Sequence, residues 1–300
     1  GMGYSKVFYN YDGATAFTSA LLNVNYMFGD SDQYENSLYE LVEESGDVYL
    51  YRAVQTLPFG YVVPEGFELP DGYANNGIAL QNQMVRRLGV EGKLFEEVDS
   101  SKADGDVAFT TQQPGIYYAM VMASGTAKVT AVGVATDTAD YNDLKMGSIL
   151  YLGYLGQGRK VTLTNGDEND TTPAINLAVY RINEPVLEET LGRLSEQHLE
   201  QVEYTSDRIY GEIALEEAKR LVLSVPLEAG WRIRINGEDS EAVTFGGCLT
   251  AFDLEPGEYT IEMYYVPQGR GVGIAVTVAS VLLFALIMVW QHRKRPDPGE

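Results

Sequence analysis

The sequence is poor in the residues that most often carry catalysis and cross-links. It has one cysteine, Cys248, and two histidines, His198 and His292, among 300 residues. A single cysteine excludes an internal disulfide, a pattern that bacterial envelope proteins tolerate better than secreted animal proteins. Basic residues are also few, because 21 Lys and Arg stand against 43 Asp and Glu. So acidic a chain repels nucleic acid and anionic lipid headgroups, and we expect neither as a partner.

Short motifs for catalysis and metal binding are missing as well. There is no G-x-S-x-G nucleophile turn. Gly153 and Gly158 have phosphate-loop spacing, but Arg159 follows where the motif requires Lys and then Ser or Thr. The acidic run at 167–170 lacks the alternation and the glycine of a calcium loop, so we expect a solvated hairpin tip there. The chain is therefore predicted to contain no catalytic residue, no metal site and no cofactor site.

Only one long apolar run is present, at residues 271–290, and it contains no charged residue. A helix of about 20 residues spans about 30 Å, the thickness of a bilayer's hydrocarbon core. A core helix of a soluble protein is the alternative, but it would usually keep a polar stripe. Arg293, Lys294 and Arg295 follow the run, and positive charge favours the cytoplasmic side. We predict a transmembrane helix at 269–291, a cytoplasmic tail at 292–300 and a large extracytoplasmic part before them.

The N-terminus lacks the apolar core of a signal peptide. We therefore expect that an upstream segment carries the chain across the bacterial plasma membrane. The chain would then be the C-terminal part of a longer membrane protein.

The first part of the chain, 1–105, has a mixed α/β pattern. A short helix is expected within 13–22, and a strand is expected at 48–54. A second helix is predicted between Asn76, a capping residue, and Gly89, a helix-stop residue.

The pattern changes to β after the polar, turn-rich run at 100–106, which we take as a boundary. Short segments rich in β-branched and aromatic residues then alternate with turns, which predicts a β-sandwich or jelly roll over 106–183. These segments are 115–123, 127–135, 148–155, 159–165 and 175–182.

A helix and a second β module are predicted over 184–268. Pro185 opens the helix, and His198 is expected as a packed or half-exposed residue on the same helical face as Leu187, Leu191 and Leu194. In Trp231–Ile235 apolar and charged residues alternate, so one face of a strand is buried and the other is wet. Asn236-Gly237 is a favoured hairpin turn. The fold class is thus mainly β, with an α/β N-terminal part, sandwich-like modules and one C-terminal transmembrane helix.

Aromatic residues offer the one hint of ligand binding. The chain has 21 Tyr and 2 Trp, and exposed aromatic rings on a β-sandwich can stack on sugars. Tyrosine also suits half-buried strands. Trp231 lies in phase with Ile233 and Ile235, which favours a core position. Trp231 is nevertheless our candidate residue for a glycan contact.

Several segments together resemble the C-terminal region of the YfhO family of bacterial multipass membrane proteins. The resemblance rests on 221–226, which ends in Pro, on Gly230-Trp231, on Asn236-Gly237 and on 254–259. It closes on Tyr264-Tyr265-Val266-Pro267 before the apolar run, and 19–27 and 49–60 resemble the family's preceding region. Asn236 and Glu258 stand where Asp and His are common in the family, and both changes keep the turn.

The resemblance implies a role in the cell envelope. Family members look like GT-C-type glycosyltransferases that take sugar from a polyprenyl-phosphate carrier and decorate lipoteichoic acid or related polymers. Their acidic catalytic residues lie in loops between N-terminal membrane helices, so none is carried over to this chain. The expected function is a noncatalytic extracytoplasmic accessory domain, with a glycan or teichoic-acid-type polymer as candidate ligand. The alternative is a single-pass surface module for adhesion or polysaccharide binding.

Overall fold

Strands dominate the computed structural model, which describes residues 2–4, 9–11, 14–73, 75–103, 106–122, 128–165 and 176–294. The mainly β fold class is therefore confirmed. Four α-helices interrupt or follow the strands of the described residues, and the longest is at the C-terminal end. The acidic run at 167–170 and the last part of the tail lie outside the described residues.

The helices of the described residues are α1 (Ala16–Leu21), α2 (Gly77–Arg87), α3 (Glu184–Ser195) and α4 (Arg270–Lys294). The first eleven strands are β1 (Met2–Tyr4), β2 (Tyr9–Tyr11), β3 (Tyr26–Gly29), β4 (Tyr39–Ser45), β5 (Val48–Ala53), β6 (Gly60–Pro64), β7 (Phe95–Val98), β8 (Ser101–Ala103), β9 (Asp106–Thr110), β10 (Gly115–Val121) and β11 (Val129–Val134). The remaining strands are β12 (Asp137–Tyr141), β13 (Ile149–Leu155), β14 (Lys160–Asn165), β15 (Leu177–Ile182), β16 (Glu200–Tyr204), β17 (Arg208–Leu215), β18 (Lys219–Pro226), β19 (Trp231–Ile235), β20 (Glu238–Ser240), β21 (Val243–Phe245), β22 (Leu249–Leu254) and β23 (Gly257–Tyr265).

Two antiparallel sheets form the first sandwich, with strand orders β13-β10-β15-β7 and β12-β11-β14-β9-β8. Alternate residues of both sheets, such as Val107, Ala119 and Leu163, meet in a core from which water is excluded. The polar run at 100–106, expected as a boundary, contributes strand β8, which pairs with β9.

A second sandwich is built from sheets of order β16-β17-β23-β19-β20 and β21-β22-β18-β6. Its core contains Ile213, Leu223, Phe252 and Ile261. Strand β6 lies in the first hundred residues of the chain, yet it pairs with β18. The early and late parts of the chain therefore share one sheet, and the proposed division at 105, 183 and 268 stays a prediction.

A central hydrophobic core, to which three helices contribute, lies between the two sandwiches. Phe17 of α1, Met84 of α2 and Leu191 of α3 pack with residues from both inner sheets, such as Tyr118 and Val222. Strand β10 is consequently buried along its whole length, with one face in the first sandwich and the other in the central core. This explains why its sequence reads as a continuous apolar run instead of an alternating one.

The predicted helix starts are observed with their caps. The Asn76 side chain accepts a hydrogen bond from the Ala79 backbone N–H at 2.9 Å at the start of α2. Asn183 caps α3 in the same way, and Pro185 occupies its first turn. These side chains satisfy backbone donors that have no partner within the helix.

The expected helical position of His198 is wrong. Helix α3 ends at Ser195, and His198 instead forms an isolated β-bridge with Tyr61. Leu199 follows and fills a notch between two glycines, because a Cβ on Gly211 would lie 2.5 Å from Leu199 Cγ. Packing of Leu199 into the second sandwich therefore overrides the helical spacing of the local sequence.

Candidate functional site

The C-terminal helix α4 begins at Arg270, and four residues separate it from the last strand, β23, which ends at Tyr265. Residues 270–292 are long and apolar enough to cross a membrane, with a mean hydropathy of 2.8, and none of that stretch is buried against the rest of the chain. The predicted span at 269–291 matches this apolar stretch to within one residue at each end, and helix α4 itself continues to Lys294. Its exposed apolar surface is what a lipid-facing helix requires.

The second sandwich presents the outer face of sheet β16-β17-β23-β19-β20 beside this helix. Side chains alternate along each strand, so Ile209, Ile261 and Ile233 point into the core. Their neighbours point outward. An open cleft of about 820 Å³ lies on this outer face next to the start of α4. Its lining includes Arg208, Tyr210, Arg234, Glu262 and Tyr264 of this face, together with Glu203, Asp207, Arg270 and Tyr204, which is the Cα partner of the inward-facing Ile209.

Strand pairing brings the residues of this cleft together from separate hairpins. Arg208 of β17 and Arg232 of β19 are both Cα partners of Tyr264 on the strand between them. In the next row Tyr210 and Arg234 flank Glu262 in the same way. The outer face beside α4 thus has two rows of side chains, and the row with Tyr264 is nearer to α4.

Hydrogen bonds and one ring contact hold the second row. The Arg234 guanidinium lies 5.7 Å from the Tyr264 ring centroid and donates to Asp239 at 3.0 Å. This hydrogen bond is the main cause of a raised pKa for Arg234, which therefore stays cationic. Tyr210 donates to Glu212, and this bond is the first cause of the raised pKa of the Tyr210 hydroxyl. Both groups keep their charge state around neutral pH.

Trp231 lies on the other face of the same sheet. It is mostly buried, packs against the core of the second sandwich with Ile233 and Ile235, and meets Tyr265 edge-on at 5.3 Å between ring centroids. Its phase in the sequence predicted this orientation. Trp231 does not line the cleft described above. Its candidate role in glycan binding stays a prediction.

A second open cleft, of about 750 Å³, lies at the opposite end of the sheet and includes His198. The His198 Nδ1 atom lies 3.0 Å from the Ser195 carbonyl oxygen. Carboxylates dominate the rest of the lining, which includes Glu196, Glu200, Glu212 and Glu258. No group of three His, Cys, Asp or Glu side chains that could hold a metal ion occurs in the described part of the chain.

The two rows of side chains beside α4 could not be assembled from sequence alone. Arg232 and Arg234 are visible as the polar phase of one strand, and Tyr264 as the partner phase of another. Nothing local connects them with Arg208, because their adjacency depends on β23 pairing with both β17 and β19.

Two kinds of known protein resemble the chain. Two solved structures of GH2 beta-galacturonidase from Eisenbergiella tayi, bound to galacturonate and to glycerol, are 10% and 8% identical to it. They align with 54% and 81% of this chain and with 29% and 37% of their own, at TM-scores of 0.19 and 0.20. Scores this low support no inference about fold or activity.

Sequence relatives are more informative. "Uncharacterized protein YfhO" of Bacillus subtilis (strain 168) is 22% identical over 121 residues, which make up 40% of this chain and 14% of that protein. The family described as "Bacterial membrane protein YfhO" matches residues 99–277, well over half of the chain. That match extends from the first sandwich through the second and into the apolar helix. The chain therefore belongs to the YfhO family of bacterial membrane proteins.

Proposed function

We propose that this chain is the noncatalytic extracytoplasmic accessory part of a YfhO-like membrane glycosyltransferase that modifies cell-envelope polymers. Its task would be to hold an acceptor polymer, of the lipoteichoic-acid type, close to the membrane. The sugar would come from a polyprenyl-phosphate donor bound elsewhere in the protein. In this proposal α4 spans the plasma membrane, with the two sandwiches outside and the short tail in the cytoplasm.

The observation that carries the proposal is the tyrosine-lined cleft at the foot of the second sandwich. Only four residues separate β23 from α4, so the cleft cannot move far from the bilayer surface. Tyr204 is 72% exposed and stacks on Phe59 at 6.1 Å between ring centroids. Exposed aromatic faces of this kind provide apolar contact for sugar rings, while the tyrosine hydroxyls remain wet.

A free-standing surface module for polysaccharide binding or adhesion is the second candidate. The same cleft would serve it, because stacking on a glycan requires no membrane partner. The two candidates differ in whether the chain works alone or with a catalytic membrane domain. Co-purification of this chain with polyprenyl-phosphate-dependent transferase activity from native membranes would support the accessory role.

The test of the proposal uses the whole chain in lipid nanodiscs. We expect no sugar transfer from a polyprenyl-phosphate donor and no glycan hydrolysis, but measurable binding of a lipoteichoic-acid-type polymer. Tyr204→Ala should weaken that binding about three- to tenfold, the value of one aromatic contact. Tyr26→Ala is the matched control, because Tyr26 is also exposed but lies on β3, in a different sheet.

Two results would contradict the proposal. Reproducible turnover that disappears when a single acidic residue is changed would show a catalytic centre in this chain. Equal loss of polymer binding in both tyrosine variants would remove the cleft as the binding site.

A further inference from the structure

In the described part of the chain, the outer face of the sheet in the second sandwich carries arginines towards one end and carboxylates without arginines at the other. At the end next to α4, the first row is Arg208, Tyr264 and Arg232. At the far end, strands β17 and β23 carry Glu212 and Glu258 on the same face. The row nearest α4 therefore carries two arginines, with the carboxylates Glu203, Asp207 and Glu262 lining the cleft beside it. Among the described residues, the far end carries carboxylates and no arginine.

The arginines at the end of the sheet next to α4 have no ion pair in the part of the chain that the structure describes. Within the described residues, the side chains of Arg208, Arg232 and Arg270 form no ion pair and donate no hydrogen bond to another side chain or carbonyl. Most other arginines of the described residues are ion-paired with carboxylates, namely Arg52, Arg159, Arg181, Arg193, Arg220 and, in the second row of this same face, Arg234. Carboxylates outnumber basic residues about two to one in this chain. Exposed arginines without a protein partner are thus available for an external anion.

The position of these arginines brings them to the headgroup region. Tyr264 is six residues before Arg270, the first residue of α4. Even a fully extended chain spans only about 20 Å over that distance. The actual separation is shorter, because Arg208, Tyr264 and Arg270 line one cleft. The polar headgroup layer adjoins the hydrocarbon core at this level.

Arginine is well matched to a phosphate in such a layer. Its planar guanidinium can donate two parallel hydrogen bonds to phosphate oxygens and is more weakly hydrated than an ammonium group. Attraction between basic residues and an anionic bilayer acts only within about one Debye length of the surface, about 10 Å. The acidic far end of the sheet is repelled by the same surface, so both ends favour one orientation.

We infer that this sheet docks on the bilayer through its membrane-side row, with Arg208 and Arg232 binding the phosphate groups of anionic phospholipids in the leaflet from which α4 emerges. The inference does not depend on the proposed function or on which side of the membrane the domain lies. It reverses locally the expectation, drawn from net charge, that the chain avoids anionic headgroups.

The experiment measures the distance of the domain from the lipid surface in the whole chain. A fluorophore is attached to Ser206→Cys in a Cys248→Ser background, and the protein is inserted into nanodiscs. The discs contain phosphatidylcholine alone or phosphatidylcholine mixed with phosphatidylglycerol, each with a headgroup-attached quencher. We expect stronger quenching in the discs that contain phosphatidylglycerol, and we expect added sodium chloride to remove the difference.

Arginine variants identify the side chains responsible. Arg208→Gln and Arg232→Gln should each reduce the docked-to-undocked ratio about fivefold in discs that contain phosphatidylglycerol. Their melting temperatures should be unchanged, because both side chains are exposed. Arg86→Gln is the matched control, since Arg86 is an exposed arginine at the end of α2, outside this sheet. It should leave quenching unchanged.

Three outcomes would overturn the inference. The first is quenching that does not depend on phosphatidylglycerol. The second is an effect of Arg86→Gln equal to that of Arg208→Gln, which would indicate a general charge effect. The third is binding of a soluble glycerol-phosphate polymer that requires both arginines while lipid composition has no influence, which would assign the row to a polymer.

Discussion

Trp231 tests whether the second sandwich uses its aromatic residues for packing or for binding. The ring packs on the core with Ile233 and meets Tyr265 edge-on. Replacement by alanine removes this contact without altering the opposite face of β19. Arg232 is the next residue and points outward, so Arg232→Ala is a matched control on the same strand.

The magnitude follows from the buried area. A tryptophan side chain buries 150–250 Å² when fully enclosed, and the mostly buried Trp231 corresponds to about 120 Å² of apolar surface. At about 25 cal/mol per Å² this contributes about 3 kcal/mol, to which the edge-on contact with Tyr265 adds about 0.5 kcal/mol. The loss is at the lower end of the range for a fully buried aromatic residue. Domains of this size lose about 2–4 °C in melting temperature per kcal/mol.

Thermal melts followed by circular dichroism, on the whole chain in nanodiscs, measure the effect. Trp231→Ala should lower the melting temperature of the β signal by roughly 7–14 °C. Arg232→Ala should change it by no more than about 2 °C. An unchanged melting temperature in Trp231→Ala, combined with lost glycan affinity, would refute the packing argument and make Trp231 a sugar platform.

Two further predictions concern topology and acid stability. In intact cells, an impermeant maleimide should label Ser206→Cys but not Pro296→Cys, each in a Cys248→Ser background. Labelling of Pro296→Cys alone would show that the tail is outside and the sandwiches are inside, the opposite of the predicted orientation. Arg220→Met should cost about 2 kcal/mol at neutral pH, because buried Arg220 holds Asp253 by two hydrogen bonds of 2.6 and 3.0 Å, although the half-exposed carboxylate can rehydrate. The Arg220 hydrogen bond lowers the pKa of Asp253, so this stability is present above the ordinary carboxyl pKa of about 4 and is lost as pH falls through the depressed folded value. Denaturant titrations should therefore show the difference between Arg220→Met and the parent shrinking below about pH 4, and a constant difference down to pH 2 would contradict the assigned cause.

Features with a local physical cause were predictable from sequence. The membrane helix depends on a run of apolar residues long enough to span a bilayer. Most strands of the first sandwich and the β19 hairpin follow from side-chain alternation and turn residues; at Asn236 and Gly237 both φ angles are positive, at 52° and 79°, as a two-residue hairpin turn requires. Helix starts at Asn76 and Asn183 follow from capping. Family membership also came from the order of such local segments.

Features that depend on contacts between distant segments were decided by the tertiary structure alone. His198 has helical spacing, but Leu199 gains more by filling the notch at Gly211, and the helix ends before it. The row of Arg208, Tyr264 and Arg232 exists because β23 pairs with strands from two other hairpins. The net charge of the whole chain does not reveal this row of arginines, because electrostatic interactions between exposed charges act over about one Debye length. Sequence therefore determined which segments form strands and which helix is apolar enough to cross a membrane, while strand pairing determined which side chains meet.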